Sequence, residues 1–108
     1  MMTKSDFAKL LKKLKIPVRY RAFRKGEAPQ SPYAVYYQLG KDNFNADNQP
    51  YFTTESVIVE LITNKKDETL ESKFESLLSE NKLFFEFESE IELDSEGLYQ
   101  VAYTVYLI

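Results

Sequence analysis

Four glutamates recur at every second position near the C-terminal end of the sequence, at Glu86, Glu88, Glu90 and Glu92. Clustered carboxylates can do acid–base chemistry or bind Mg²⁺ or Ca²⁺. Acid–base catalysis, however, needs carboxylates in different surroundings, and a period of two places all four on one face of a strand. The pattern therefore favours a solvated strand face that resists edge-to-edge aggregation. The alternative is an acidic contact surface for a cationic partner.

The N-terminal quarter has the opposite charge. Residues 1–25 contain nine Lys or Arg and a single acidic residue, although the whole chain has a net charge of −3. Arg19, Arg21 and Arg24 alternate with aromatic residues, as basic groups do in proteins that bind single-stranded nucleic acid. A pI near 5 is unusual for a free-standing nucleic-acid-binding domain. We therefore favour a contact in which a basic surface of one copy meets an acidic surface of the next, and regard nucleic acid as the less favoured partner.

Oxygen donors are concentrated in the segment KDNFNADN, residues 41–48. An EF-hand loop beginning at Asp42 would need Gly at its sixth position and an acidic residue at its twelfth, where the chain has Asp47 and Thr53. The match fails. The chain also has no His and no Cys, and so lacks the commonest general base, the commonest transition-metal ligand and any thiolate. We expect no catalytic site, no metal, no cofactor and no small-molecule substrate.

Apolar periodicity predicts the elements that position these residues. Apolar residues at helical spacing predict a first helix with its N-cap at Ser5, which must end before Pro17. The elements predicted after it are strands over residues 18–23, 33–39 and 53–63, a helix capped by Asp67, and a hairpin over residues 83–108 that turns at residues 94–97.

This order, α-β-β-β-α-β-β, predicts a single α+β domain over residues 1–108. We expect a mostly antiparallel five-stranded sheet with two helices packed on it. In the C-terminal hairpin, Phe85, Phe87, Ile91 and Leu93 are expected to share the face opposite the glutamates.

Two segments, residues 24–32 and 40–52, are expected to be loops that project from the sheet, because they contain the Gly, Pro and Asn residues typical of turns. In the second segment the candidate contact residues are Phe44, Asn45, Asp47 and Asn48. The alternative is a long connection whose aromatic residues lie in the core of the same chain.

The stretches APQSPYAVYY, FNADNQPYF and ELITNKKDETLESKFE accompany a short amphipathic N-terminal helix and a last hairpin that ends in TVYLI. With these features the chain resembles, over essentially its whole length, the tail-completion proteins (tail-terminator or head–tail joining proteins) of long-tailed phages and prophages. The resemblance implies a non-enzymatic structural protein that assembles as a ring at the tail end or the head–tail joint. The implied partners are copies of itself and phage tail or connector proteins. None of these motifs carries chemistry, so no functional residue is transferred.

Within such a ring, the candidate inter-subunit pair is the arginine group Arg19, Arg21 and Arg24 against the four glutamates. These groups could instead meet across the sheet within one subunit, where exposed ion pairs contribute only about 0–1 kcal/mol each. The alternative function is that of a small nucleic-acid-binding accessory protein that uses the basic N-terminal quarter. The sequence has no apolar run of membrane-spanning length and no signal-peptide pattern, so we expect no membrane partner. The expected location is the bacterial host cytoplasm before assembly and the virion afterwards.

Overall fold

A computed structural model describes residues 2–21, 31–46, 49–93 and 97–107; for residues 40–46, 49–54 and Leu93 it describes the backbone. The elements are α1 (Lys4–Leu11), a 3₁₀ turn (Lys12–Leu14), β1 (Val18–Tyr20), β2 (Tyr33–Ala46), β3 (Gln49–Thr63), α2 (Glu68–Glu80), β4 (Phe84–Leu93) and β5 (Leu98–Leu107). The predicted α+β class, with a five-stranded sheet and two helices, is confirmed. The 3₁₀ turn was not predicted from the sequence.

The sheet is mixed, with strand order β1-β2-β3-β5-β4. β1 pairs parallel with β2, whereas the pairs β2–β3, β3–β5 and β4–β5 are antiparallel. The expectation of a mostly antiparallel sheet is therefore wrong, and positions 24–30 of the loop expected at residues 24–32 lie outside the described residues. Parallel neighbours need a crossover of a dozen or more residues, and twelve residues separate β1 from β2.

The long loop expected over residues 40–52 is wrong, because these residues belong mainly to two paired strands. β2 continues to Ala46 and β3 starts at Gln49, and the register pairs Phe44 with Phe52. Strand pairing satisfies those backbone hydrogen-bonding groups of this polar stretch that face the partner strand, and its aromatic and threonine residues suit a pleated surface. Register shifts between Gln38 and Gly40 and between Phe44 and Asn45 accommodate the irregular residues.

The helix starts are fixed by side-chain caps. α1 begins after Thr3, whose hydroxyl accepts a hydrogen bond from the Asp6 amide at 3.0 Å, while the Asp6 carboxylate accepts one from the Thr3 amide at 3.4 Å. This reciprocal capping box corrects the cap predicted at Ser5. For α2 the predicted cap is confirmed, since the Asp67 carboxylate accepts from the Leu70 amide at 3.0 Å. Neither helix of the described chain has the length and apolar character needed to cross a membrane.

Both helices pack on one face of the sheet, here called the helix face. The ring of Phe74 on α2 meets that of Tyr103 edge-on with 5.0 Å between centroids, and Phe7 on α1 meets Tyr36 at 6.1 Å. The buried sheet residues of this core are Ala34, Val57, Val59, Leu61, Val101, Tyr103, Val105 and Leu107. The opposite side of the sheet is called the outer face.

Candidate functional site

β4 contains a β-bulge at Glu88. Phe87 lies opposite Tyr103 and Ser89 lies opposite the next residue along β5, Ala102, so Glu88 is an extra residue with no cross-strand partner. The alternation of side chains inverts at this point because the side-chain period of a strand is two.

The bulge divides the four glutamates between the two faces. Glu86 pairs with Thr104 on the outer face, whereas Glu90 pairs with Val101 on the helix face. The prediction that all four share one face is wrong. Ile91 pairs with Gln100 on the outer face, and Leu93 pairs with Leu98, so the expected common apolar face of Phe85, Phe87, Ile91 and Leu93 is also wrong.

Two of the glutamates make contacts within the chain. The Glu86 carboxylate accepts a hydrogen bond from the Tyr106 hydroxyl at 2.8 Å. Glu90 forms an ion pair with Lys66, which also contacts Glu71 with an N–O separation of 3.0 Å. The hydrogen bonds to Glu90 and then Glu71 raise the pKa of Lys66 above its usual value.

Glu88 and Glu92 are exposed and make no hydrogen bond or ion pair with any part of the chain that the structure describes. They are therefore the two carboxylates of β4 that remain available to a partner.

Two basic residues, one in β1 and one directly after it, lie at the other edge of the sheet. Arg19 and Arg21 are both exposed, and Tyr20 between them is 40% exposed. The Arg21 guanidinium carbon lies 5.7 Å from the centroid of the Tyr20 ring, within the range of a cation–π contact. Arg24, the third candidate, lies outside the described residues.

The sheet order places the acidic and the basic strand at opposite edges, with β1 at one and β4 at the other. Four strand spacings separate them, which amounts to about 19 Å. Arg19 and Arg21 therefore do not meet the β4 glutamates within one subunit, and the intrasubunit alternative is excluded for these two arginines.

A two-stranded β-arm extends beyond the rest of the sheet. We define it as residues 40–46 of β2 and 49–54 of β3. β5 pairs only with Glu55–Thr63 of β3, and β1 pairs only with Ala34–Tyr36 of β2, so within the described chain the backbone of the arm pairs only with itself. Seven residues of strand span about 23 Å. The protein is correspondingly elongated, with extents of 51 × 28 × 22 Å.

The structure describes two of the four candidate contact residues of the arm. Phe44 and Asn45 lie near the end of β2, where Phe44 is opposite Phe52 and Asn45 opposite Pro50. Asp47 and Asn48, which connect the two strands, lie outside the described residues. The structure thus replaces the expected loop by a hairpin and leaves the role of its residues a prediction.

A groove of about 200 Å³ lies between the 3₁₀ turn and α2. Its lining residues are Lys13, Leu14, Lys73, Ser76, Leu77 and Glu80. The Lys73 ammonium donates to the Leu14 carbonyl at 3.4 Å. The groove contains one carboxylate rather than the pair that general acid–base catalysis uses. Among the described residues, no group of three acidic side chains is arranged to hold a metal ion.

Sequence reasoning missed several exposed apolar residues of the sheet. Phe84 is 62% exposed, Phe87 51% and Ile91 44%, all on β4, and Leu39 at a register shift of β2 is 59% exposed. The exposure of Phe84 was predictable from the sequence, because Phe84 precedes Glu86 by two residues and therefore lies on the same face of the strand as Glu86. The exposure of Ile91 was not, because nothing in the composition of β4 marks the bulge.

The features above define an α+β protein with a projecting β-arm and two oppositely charged sheet edges. No protein-family model matches the chain, and no curated protein sequence matches it.

Proposed function

We propose that this protein is a non-enzymatic structural protein of phage morphogenesis, which forms a ring at the head–tail joint or at the tail end. The observation that carries the proposal is the β-arm, a hairpin that extends about 23 Å past the strands that pair with the rest of the sheet. In the proposal its partners are other copies of the chain and the tail or connector proteins. It assembles from the host cytoplasm into the virion.

The arm suits contacts with a neighbouring protein because its two outer edges carry backbone N–H and C=O groups with no strand partner in the described chain. A strand of another protein can add to such an edge through main-chain hydrogen bonds. The buried residues that the structure describes on the helix face belong to other segments, so we expect such a contact to leave this core undisturbed. The resemblance also includes this segment, because the stretch FNADNQPYF overlaps the end of β2 and the start of β3.

The non-enzymatic part of the proposal is supported by the arrangement of the carboxylates. The β4 glutamates lie on two faces of an exposed edge strand. Glu80 is the one carboxylate among the residues that line the groove beside α2. Catalytic pairs of carboxylates, in contrast, are held together in surroundings that separate their pKa values.

Tail binding tests the proposal directly. Purified protein is mixed with tails from a phage mutant that lacks it, and the tails are imaged by negative-stain electron microscopy. We expect a ring-shaped density at one tail end. Tails that stay bare with the wild-type chain would overturn the proposal.

An arm-shortened variant tests the observation that carries the proposal. Replacing residues 43–53 by Asn-Gly connects Asp42 and Thr54, which are already opposite each other in the register. Because the arm pairs only with itself among the described residues, we expect the melting temperature to change little while tail binding is lost. The control is Asp47→Asn with Asn48→Gly, which changes the turn and keeps both strands. Equal tail binding by the shortened and control variants would contradict a role for the arm.

The second candidate function, nucleic-acid binding through the basic N-terminal quarter, is favoured by one observation. Tyr20 is 40% exposed between two arginines, an arrangement in which a base can stack while the cations meet phosphate. The logarithm of the binding constant for such a complex falls linearly with the logarithm of the salt concentration. Lack of retention of single-stranded DNA at 50 mM salt would remove this candidate.

A further inference from the structure

We propose that the two edges of the sheet form the contact between neighbouring copies, so that the β4 edge of one copy docks against the β1 edge of the next, head to tail. The inference rests on the proposed ring and adds to it the two surfaces that meet. The partner that binds at each sheet edge is a second copy of this chain.

The β4 edge is both acidic and apolar. Phe84, Phe87 and Ile91 are 62%, 51% and 44% exposed, although large apolar side chains are usually sheltered from water. Between and beside them, Glu88 and Glu92 have no hydrogen bond or ion pair in the described chain. Phe84 and Ile91 lie on the outer face and Phe87 lies on the helix face, so β4 presents exposed apolar surface on both sides of the sheet edge. Exposed apolar surface bordered by charged residues is typical of a contact surface.

The β1 edge carries the complementary groups. Arg19 and Arg21 supply guanidinium forks, which match carboxylates with two parallel hydrogen bonds, and Tyr20 supplies an exposed ring. Lys12 and Lys15 are also exposed, just before this strand in the chain. Both edges therefore present aromatic surface together with charge, and the charges are opposite.

The position of the edges selects a head-to-tail contact. An association of β4 with the β4 of a second copy would place glutamates against glutamates, and like charges opposite each other are destabilising. The β1 edge offers the opposite charge and lies at the far side of the sheet. Each copy then uses two different surfaces, which produces a closed ring when the rotation between copies closes.

Two charge-reversed variants test the contact. The first is Glu88→Lys with Glu92→Lys on β4, and the second is Arg19→Glu with Arg21→Glu on β1. Each variant alone would place like charges at every contact, so we expect its self-association to weaken at least tenfold by sedimentation velocity and light scattering. In an equimolar mixture, each contact between the two different variants again has opposite charges, and we expect self-association to return. Far-UV circular dichroism and the melting temperature establish that each variant is folded.

A matched pair of variants separates position from net charge. Glu88→Gln with Glu92→Gln and the control Ser72→Lys with Ser79→Lys change the net charge equally, and both serines are exposed on α2. We expect association to weaken only in the β4 variant. If Arg19→Glu disturbs the fold, Arg21→Glu alone replaces the second reversed variant. The contact that the structure describes for the Arg21 side chain is the one with the exposed Tyr20 ring.

The outcomes distinguish this contact from the proposed function. The contact is overturned if both reversed variants associate as strongly as the wild type, or if their mixture fails to associate. In either case the tail-binding experiment still tests the proposed function separately. Wild-type rings that never bind tails overturn the proposed function while the contact stands. If the wild-type chain associates only on tails, the same variants and mixture are scored there by negative-stain imaging. A wild-type chain that associates in neither setting overturns both.

Discussion

Tyr103 shows how one residue joins the helices to the sheet. Its side chain is fully buried, and its ring packs edge-on against Phe74 of α2 at 5.0 Å and against Phe87 of β4 at 5.5 Å. Its hydroxyl donates to the Glu75 carboxylate on α2 at 2.7 Å. Burial first, and then the hydrogen bond to Glu75, raises the pKa of Tyr103 well above its usual value of 10.0.

We expect Tyr103→Phe to lower the free energy of unfolding by about 1 kcal/mol, the typical net value of one hydrogen bond. The ring contacts remain, and the half-buried Glu75 regains water. Urea unfolding at pH 7 measures the difference. A loss above about 3 kcal/mol would mean that the ring itself has been displaced, as in a core-cavity variant.

The same residue predicts an alkaline pH dependence. A pKa that is higher in the folded chain than in the unfolded chain gives stability that is fully present below pH 10 and is lost as the pH rises towards the folded value. The free energy of unfolding should therefore fall above pH 10, and fall less steeply in Tyr103→Phe. Tyr36 and Tyr37, whose pKa values burial also raises, retain part of the slope in the variant. Identical slopes for wild type and variant would contradict the assignment to Tyr103.

At the scale of elements, the bulge in β4 explains why part of the surface could not be predicted. Strict alternation from Phe85 to Leu93 suggests one acidic face and one apolar face, and an extra residue at Glu88 reverses both. Helix α2 and strand β5 were predictable because their apolar periodicity continues without interruption and their buried residues follow it. The β-arm was missed for a different reason: Asn, Asp and Pro indicate a loop locally, but pairing with a second strand overrides this preference.

Deletion of Glu88 tests the bulge. Removal of the extra residue makes β4 a regular strand with every other side chain on its present face, so we expect the melting temperature to fall by no more than a few degrees. Deletion of Glu86 is the contrast, because it moves Phe87 away from the Tyr103 ring and removes the bond to Tyr106. Equal losses from the two deletions would show that Glu88 is an ordinary paired residue.

At the scale of the whole molecule, charge is separated between its two sides. The side built from α1 and β1 carries Lys9, Lys12, Arg19 and Arg21, whereas α2 and β4 carry eight of the 17 acidic residues. The uneven charge was readable in the sequence. Its arrangement at opposite edges was not, because it depends on the strand order and on the parallel pairing of β1.

This separation predicts that self-association is sensitive to salt. The screening length falls from about 10 Å at 0.1 M salt to about 3 Å at 1 M, which weakens contacts between exposed charges. We expect the assembled fraction to fall over this range and to recover on dilution of the salt, as followed by sedimentation velocity. The control pair of serine substitutions on α2 should give the same salt response as the wild type. Association that strengthens with salt would indicate a contact dominated by apolar burial.

The position of β5 in the sheet has a consequence for how the chain folds while it is being made. β5 lies between β3 and β4, although it follows both in the sequence. In a ribosome-bound chain that has not yet released residues 98–107, β3 has one edge without a partner and β4 has no strand partner among the described elements. The chain's core aromatic, Tyr103, is also still missing. Productive folding is thus postponed until synthesis has passed Leu107, and before that moment the nascent strands depend on chaperones, or on their own charged side chains, to avoid pairing with the wrong chain.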